Sequence, residues 1–250
     1  MNGTVPSLIV RGQNFLKNVV NLEILERVFN AGFTLAEVLI TLGIIGVVAA
    51  MTIPGLITKC EQIRTETRLK KFYSMINQTV RMSSADNGEP EGWGLYDGKE
   101  HDYRYHLNIL NQYFLPYMKY TKVENCKTDP MNPYTACVYF LDGSAMRVKF
   151  DHFGGTINYF IDGDSSRRIA KNWFYFEFHM VSDEYSRTVG NNKNYVVPRT
   201  WGEGMGKVPK TVSECMNKGC NKNKILFCTK CIELNSWKIP ENYPWNSSLK

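Results

Sequence analysis

Between Phe33 and Ile57 lie 25 residues, and one of them, Glu37, is charged. A helix rising about 1.5 Å per residue makes this run long enough to cross the ~30 Å hydrocarbon core of a bilayer. No other feature limits the possible folds as strongly. A lone ionised carboxylate in a membrane-length helix costs roughly 2.5–3.5 kcal/mol on insertion scales, so Glu37 calls for a partner. The run lies too deep in the chain and is too long for an ordinary secretory signal. It also lacks an Ala-x-Ala site followed by a polar mature start. Read from these residues alone, it is a signal-anchor helix.

The residues around the carboxylate narrow the reading. The stretch Gly32-Phe33-Thr34-Leu35-Ala36-Glu37, with Pro54 at the far end of the run, resembles the prepilin signal of type IV pilins and type II secretion pseudopilins. The resemblance implies that a prepilin peptidase cuts after Gly32 and methylates the new amine of Phe33. Glu37 and Pro54 become the assembly residues: the carboxylate pairs with the Phe33 amine of a neighbouring subunit, offsetting its burial and setting axial register. Pro54 removes the helical hydrogen bond to Ala50 and, with Gly43 and Gly46, softens the helix. The implied partners are the prepilin peptidase, other pilin or pseudopilin subunits, an inner-membrane assembly platform and the lipid bilayer. The implied location is the cytoplasmic (inner) membrane, crossed once, with the C-terminal domain outside.

Flanking charge points the other way. Lys17 and Arg27 precede the span, whereas Lys59, Arg64, Arg68, Lys70 and Lys71 follow it, and a positive-inside bias places the C-terminal side in the cytoplasm. The motif takes precedence, because the charge rule is a bias and the leader must meet its peptidase on the cytoplasmic side. That leader is long, and Leu16, Val19, Val20 and Ile24 have helical spacing. An extended leader and a misassigned start codon are both open.

The boundaries expected are a leader over 1–32, a membrane and assembly helix over 33–57, the outer half of that helix over 58–85, and a globular domain over 86–250. The last is supported by composition: charged residues are 22% of the chain and apolar content is ordinary, as in a folded domain. The formal charge is +6, of which the leader carries +1. That is mild, and Arg64, Arg68, Lys70 and Lys71 read as a solvated helix face rather than a nucleic-acid strip.

Leu69, Tyr73, Ile76 and Val80 form one apolar stripe that ends before Asp86-Asn87-Gly88-Glu89-Pro90. A helix from Phe33 to about Ala85 is about 80 Å long, and its outer half needs a sheet to cover the stripe. A loop follows through Gly88, Gly92, Gly94 and Gly98, then a short helix around His106–Tyr117 with Leu107, Leu110 and Phe114 on one side. Ala136–Leu141 and Ala145–Phe150 flank Asp142-Gly143-Ser144 as a hairpin, with further strands at Thr156–Ile161 and Trp173–Phe178. Beyond Val181 a polar, Gly-rich loop region is expected. The fold class is therefore α+β: a long N-terminal hydrophobic helix, pilin-like, packed on a small antiparallel sheet with a cysteine-containing C-terminal region. The ending Asn235-Ser236-Trp237-Lys238-Ile239-Pro240, with Tyr243-Pro244-Trp245, is similar to that of one bacterial group of prepilin-like type II secretion proteins. Leu141-Asp142-Gly143 and Asn158–Phe178 share that likeness.

Of seven cysteines, Cys126 and Cys137 flank a loop with Pro130 and Pro133 and are expected to pair. Cys215, Cys220, Cys228 and Cys231 have the spacing C-x4-C-x7-C-x2-C. In an extracytoplasmic domain two disulfides are the expectation, with zinc the alternative; the gap of seven is short for a zinc ribbon. Cys60 is the odd thiol, read as packed between helices, with an intersubunit disulfide as the sharper alternative.

Asp162-Gly163-Asp164-Ser165-Ser166 places oxygens at alternate positions, as calcium loops do. The sixth and twelfth positions of an EF-hand are here Arg167 and Trp173, so Asp162 and Asp164 read first as a plain turn, with calcium as the second reading. No cofactor is otherwise expected. His101 and His106 read as helix decoration, and with His152 and His179 they show no local metal spacing. There is no H-E-x-x-H and no G-x-S-x-G, and Gly202–Lys207 lacks P-loop spacing. The alternative to a fibre subunit is a single-pass membrane-anchored extracytoplasmic ligand-binding protein that does not polymerise; an anchored enzyme ranks last, because no catalytic constellation is present. Trp93 and Trp201 are open between partner contact and core.

Overall fold

The computed structural model describes residues 33–94, 101–126, 135–151, 154–166, 168–179, 194–199 and 208–247. The leader with Gly32, and Gly98, Pro130, Pro133, His152, Arg167, Trp201 and Gly202–Lys207, lie outside the described residues. The chain divides into two units, 1–57 and 58–250.

The first helix, α1, is Leu35–Asn87. In the first unit its apolar side chains, among them Leu39, Ile44, Ile45, Met51 and Leu56, are exposed. It is the helix, among the described residues, long and apolar enough to cross a membrane. Pro54 is accommodated inside it.

In the second unit α1 has the buried stripe that covers a sheet. Leu69, Phe72, Ile76 and Val80 are fully or almost fully buried, each contributing about 1.5–3 kcal/mol of transfer free energy. The expected stripe is shifted by one position in the middle: Phe72 is the deep residue. Its ring stacks on Tyr159 at 4.0 Å and tilts against Phe176 at 5.4 Å. Tyr73 lies at the margin, against Trp237. The polar stop after Asp86 holds, and Gly88 supplies a left-handed backbone there.

The sheet has six antiparallel strands in sequence order: β1 Lys122–Asn125, β2 Ala136–Tyr139, β3 Ala145–Asp151, β4 Gly154–Phe160, β5 Trp173–His179 and β6 Val196–Pro198. β1 and β6 were not legible as strands, since each is only three or four residues long and is completed by its neighbour. The β2–β3 hairpin closes with the Phe140 N–H donating to the Ser144 carbonyl at 2.9 Å, and Gly143 takes the left-handed conformation the turn needs. Register places Met146, Tyr159 and Phe174 in one row and Val148, Ile157 and Phe176 in the next. These rows face α1. The alternate rows, Arg147–Asn158–Tyr175 and Lys149–Thr156–Glu177, occupy the other face. At the start of β4 a Cβ on Gly154 would lie 2.0 Å from the Phe178 carbonyl oxygen, so only glycine fits.

Two sequence expectations need correction. Arg68 is not on a solvated face: its guanidinium donates to the carbonyls of Ile161 and Asp142, both at 2.8 Å, and so ties α1 to two turns of the sheet. His106 does not decorate a helix. It lies in α2, Tyr103–Ile109, is fully buried, and its Nδ1 accepts the Phe150 N–H at 3.1 Å. β2 begins opposite Val148, so the β3 backbone beyond it needs an acceptor from elsewhere. The helix α2 passes into a π turn over Leu110–Phe114 and a 3-10 turn over Leu115–Tyr117. Trp93 is core: it stacks on Tyr113 at 4.4 Å and donates its indole N–H to the Gly88 carbonyl.

The C-terminal region is not an open loop. It forms α3, Val212–Gly219, and α4, Cys228–Leu234. β6 pairs with only three residues of β5, and the Tyr175 N–H beyond it donates to Thr229 Oγ1 of α4 at 2.9 Å. The module thus finishes the edge that β6 leaves open. Asn77 of α1 holds β6 from the helix side, exchanging amide hydrogen bonds with both backbone groups of Val196. After α4, Ser236 and Trp237 both adopt positive φ. This sharp turn directs Lys238 and Ile239 at Glu66 of α1, which accepts from the Lys238 ammonium at 3.1 Å and the Ile239 N–H at 2.8 Å.

Candidate assembly segment and disulfide module

Phe33, the expected methylated residue, begins the described segment and is 85% exposed. Thr34 precedes α1 with an extended or irregular backbone, and Glu37 is in the first turn. The Thr34 N–H and hydroxyl donate to Glu37 Oε2 at 2.8 and 2.9 Å, and the Glu37 N–H donates back to Thr34 Oγ1 at 3.2 Å. This is a capping box, and the spacing Thr-x-x-Glu is its sequence signal. The carboxylate that lacked a partner along its own span therefore has one within the subunit. Around it, Leu35, Val38, Leu39 and Ile40 present apolar surface.

In the second unit, Cys126–Cys137, Cys215–Cys231 and Cys220–Cys228 are disulfides. The first joins the end of β1 to β2. The other two are nested and clamp α3 against α4. Their sulfurs are bonded to one another, so they do not hold zinc. Cys60 is a free, exposed thiol in the subunit, not a packed one. Asp162 and Asp164 stay together in a turn, but their oxygens serve it: Asp164 N–H donates to Asp162 Oδ1 and Ser166 N–H to Asp164 Oδ1, each at 3.0 Å. Among the described residues no group of three or more His, Cys, Asp or Glu is placed to hold a metal ion.

A set of residues that sequence spacing does not reveal comes together on the sheet face away from α1. Arg147, Lys149, Arg168 and Arg199 line one cleft with Thr135, Asn158 and Tyr175. Their separation of up to 52 positions is closed by strand register. The Tyr175 phenol is pushed up by burial, with Arg199 acting in the opposite direction.

The chain is type IV pilin-like by its methylation motif, set on an apolar, exposed helix with a capped carboxylate ahead of a disulfide-braced α+β domain. Residues 29–53 match the family model for the prokaryotic N-terminal methylation motif. The chain belongs to the family of unknown function DUF6613, whose model covers residues 55–246. No curated protein matches the chain. No solved structure matches it.

Proposed function

We propose that this chain is a structural, non-enzymatic subunit of a type IV pilus or type II secretion pseudopilus. It is cleaved after Gly32, N-methylated at Phe33 and held in the cytoplasmic membrane by residues 33–57, with 58–85 as the outer half of the helix and 86–250 outside. The observation that carries the reading is the methylation motif over 29–53 on a helix whose apolar side chains are exposed in the isolated subunit. In a bilayer that surface meets lipid, and in a fibre it meets the same helix of neighbours. On cleavage the Phe33 amine becomes a cation, and the Glu37 carboxylate of an adjacent subunit is its counter-ion. Disulfides fit a domain on the oxidising side of the membrane.

N-terminal sequencing of the membrane-extracted protein tests the proposal. The expected first residue is a methylated Phe33, and an intact leader removes the reading in favour of a plain membrane anchor. A cytoplasmic-only reporter fused at the C-terminus is expected to be silent.

A further inference from the structure

We propose that the cleft on the sheet face away from α1 binds a compact oxyanion of the phosphate class. This proposal is independent of how the chain is processed. The cleft has a volume of about 200 Å³, ample for a phosphate group. It lies between the outer rows of β3, β4 and β5 and the disulfide-clamped module, where Leu226, just before α4, forms one wall.

Four cations line it. Arg147 faces Asn158 and Tyr175 across adjacent strands, and Lys149 is two residues along on the same face. Arg199 joins through its N–H to the Tyr175 carbonyl, and Arg168 from the turn before β5. Three guanidiniums lie over aromatic rings: Arg199 over Tyr175 at 4.2 Å, Arg147 over Phe160 at 5.5 Å and Arg168 over Trp173 at 6.0 Å. Contacts at these distances attract each cation to the ring quadrupole, and guanidinium forks are well matched to oxyanions. Arg147 is only 4% exposed, so its charge is carried in a place where water cannot fully solvate it.

None of the four lacks contacts within the chain, and Arg199 lies 3.7 Å from the Glu177 carboxylate. The oxyanion therefore adds to a fixed framework instead of ordering loose side chains. Thr135, Thr156 and Asn158 supply neutral polar groups in the same wall. Glu177 and Asp151 lie on the same face and offset part of this charge, so four cations meet two carboxylates there. An oxyanion carrying about two charges balances the remainder and matches planar guanidinium forks better than a single carboxylate does.

Thermal unfolding of the full chain in uncharged detergent, disulfides intact, provides the test. Inorganic phosphate, glycerol phosphate and citrate are compared with sodium chloride at equal ionic strength. The midpoint is expected to rise with either phosphate and to rise less with citrate, as ligand binding to the folded state requires. A response to glycerol phosphate alone assigns the site to an ester, and a response to both assigns it to the phosphate group itself. Lys149→Gln and Arg168→Gln, at half-buried positions, are each expected to weaken phosphate binding roughly tenfold, read as a smaller phosphate shift from each variant's own midpoint in chloride. Arg147→Gln is avoided because the residue is buried. The proposal fails if phosphate acts no differently from chloride or citrate, or if both variants keep the full response.

Discussion

Thr34 and Glu37 cap the first turn of α1 reciprocally, the threonine N–H and hydroxyl donating to the carboxylate and the glutamate N–H donating back. On the proposed assembly the same carboxylate has a second role, as a counter-ion between subunits, and substitutions separate the two. Glu37→Ala is expected to insert normally, since it removes a charge from an apolar span, yet fail to assemble. Glu37→Gln keeps a capping acceptor and loses the charge. Immunoblotting of sheared surface fractions reads the outcome: fibres at the normal level from the Gln variant mean that capping, not charge, is what assembly needs. Thr34→Ala is expected to cost about 0.5–2 kcal/mol of helix-end stability while leaving the counter-ion role in place.

Thiol chemistry gives a second prediction. Mass measurement after alkylation without reductant is expected to show one modified cysteine, Cys60, and seven after reduction. Replacing Cys215 and Cys231 together by serine removes a loop closure over 16 residues and is expected to destabilise the domain by about 3 kcal/mol in denaturant. Three or more thiols alkylated before reduction contradict the assigned pairing.

His106 provides a third. Its Nδ1 is the acceptor for the Phe150 N–H in the core. His106→Phe fills similar space but leaves a buried donor unsatisfied, at a cost of about 1–3 kcal/mol. The denaturant midpoint is expected to fall with an unchanged m-value. A midpoint equal to wild type shows that water or another group takes over the N–H.

The fourth concerns pH at both extremes. Burial works against the Asp142 charge, but the Ser144 hydroxyl and N–H, with Arg68 and Lys71, hold its carboxyl below the usual carboxylate range. A lowered folded value means stability that is present above pH ~4 and lost as pH falls below it. Asp142→Asn is expected to flatten that acid limb. At the other extreme, burial pushes the Tyr159 phenol up to about 12, and burial with Glu124 does the same for Tyr139. A raised folded value means stability that is full below pH ~10 and is lost as pH rises towards 12. Difference ultraviolet titration of wild type against Tyr159→Phe is expected to show this phenol ionising well above pH ~10; its ionisation near pH ~10 in the folded protein overturns the assignment.

The helix, its apolar stripe, the β2–β3 hairpin and the strands β3 to β5 were legible because each rests on local periodicity or on a turn residue such as Gly143. The methylation motif was legible for the same reason, since its residues are contiguous. β1, β6 and the two C-terminal helices were not. Their short segments carry little periodicity, and they exist because Asn77, Thr229 and the disulfides hold them.

By itself, then, the sequence determined the prepilin-type methylation motif over 29–53, the amphipathic outer half of α1 and the α+β class. Hydrophobic spacing and a peptidase signal are properties of neighbouring residues. Tertiary structure alone decided that Phe72 and not Tyr73 is the deep residue, that Arg68 and His106 are internal donors and acceptors, and which of the last four cysteines join. It also decided that Arg147, Lys149, Arg168 and Arg199 share one cleft. Strand register and disulfide geometry bring such groups together across long stretches of chain, and no local pattern encodes them.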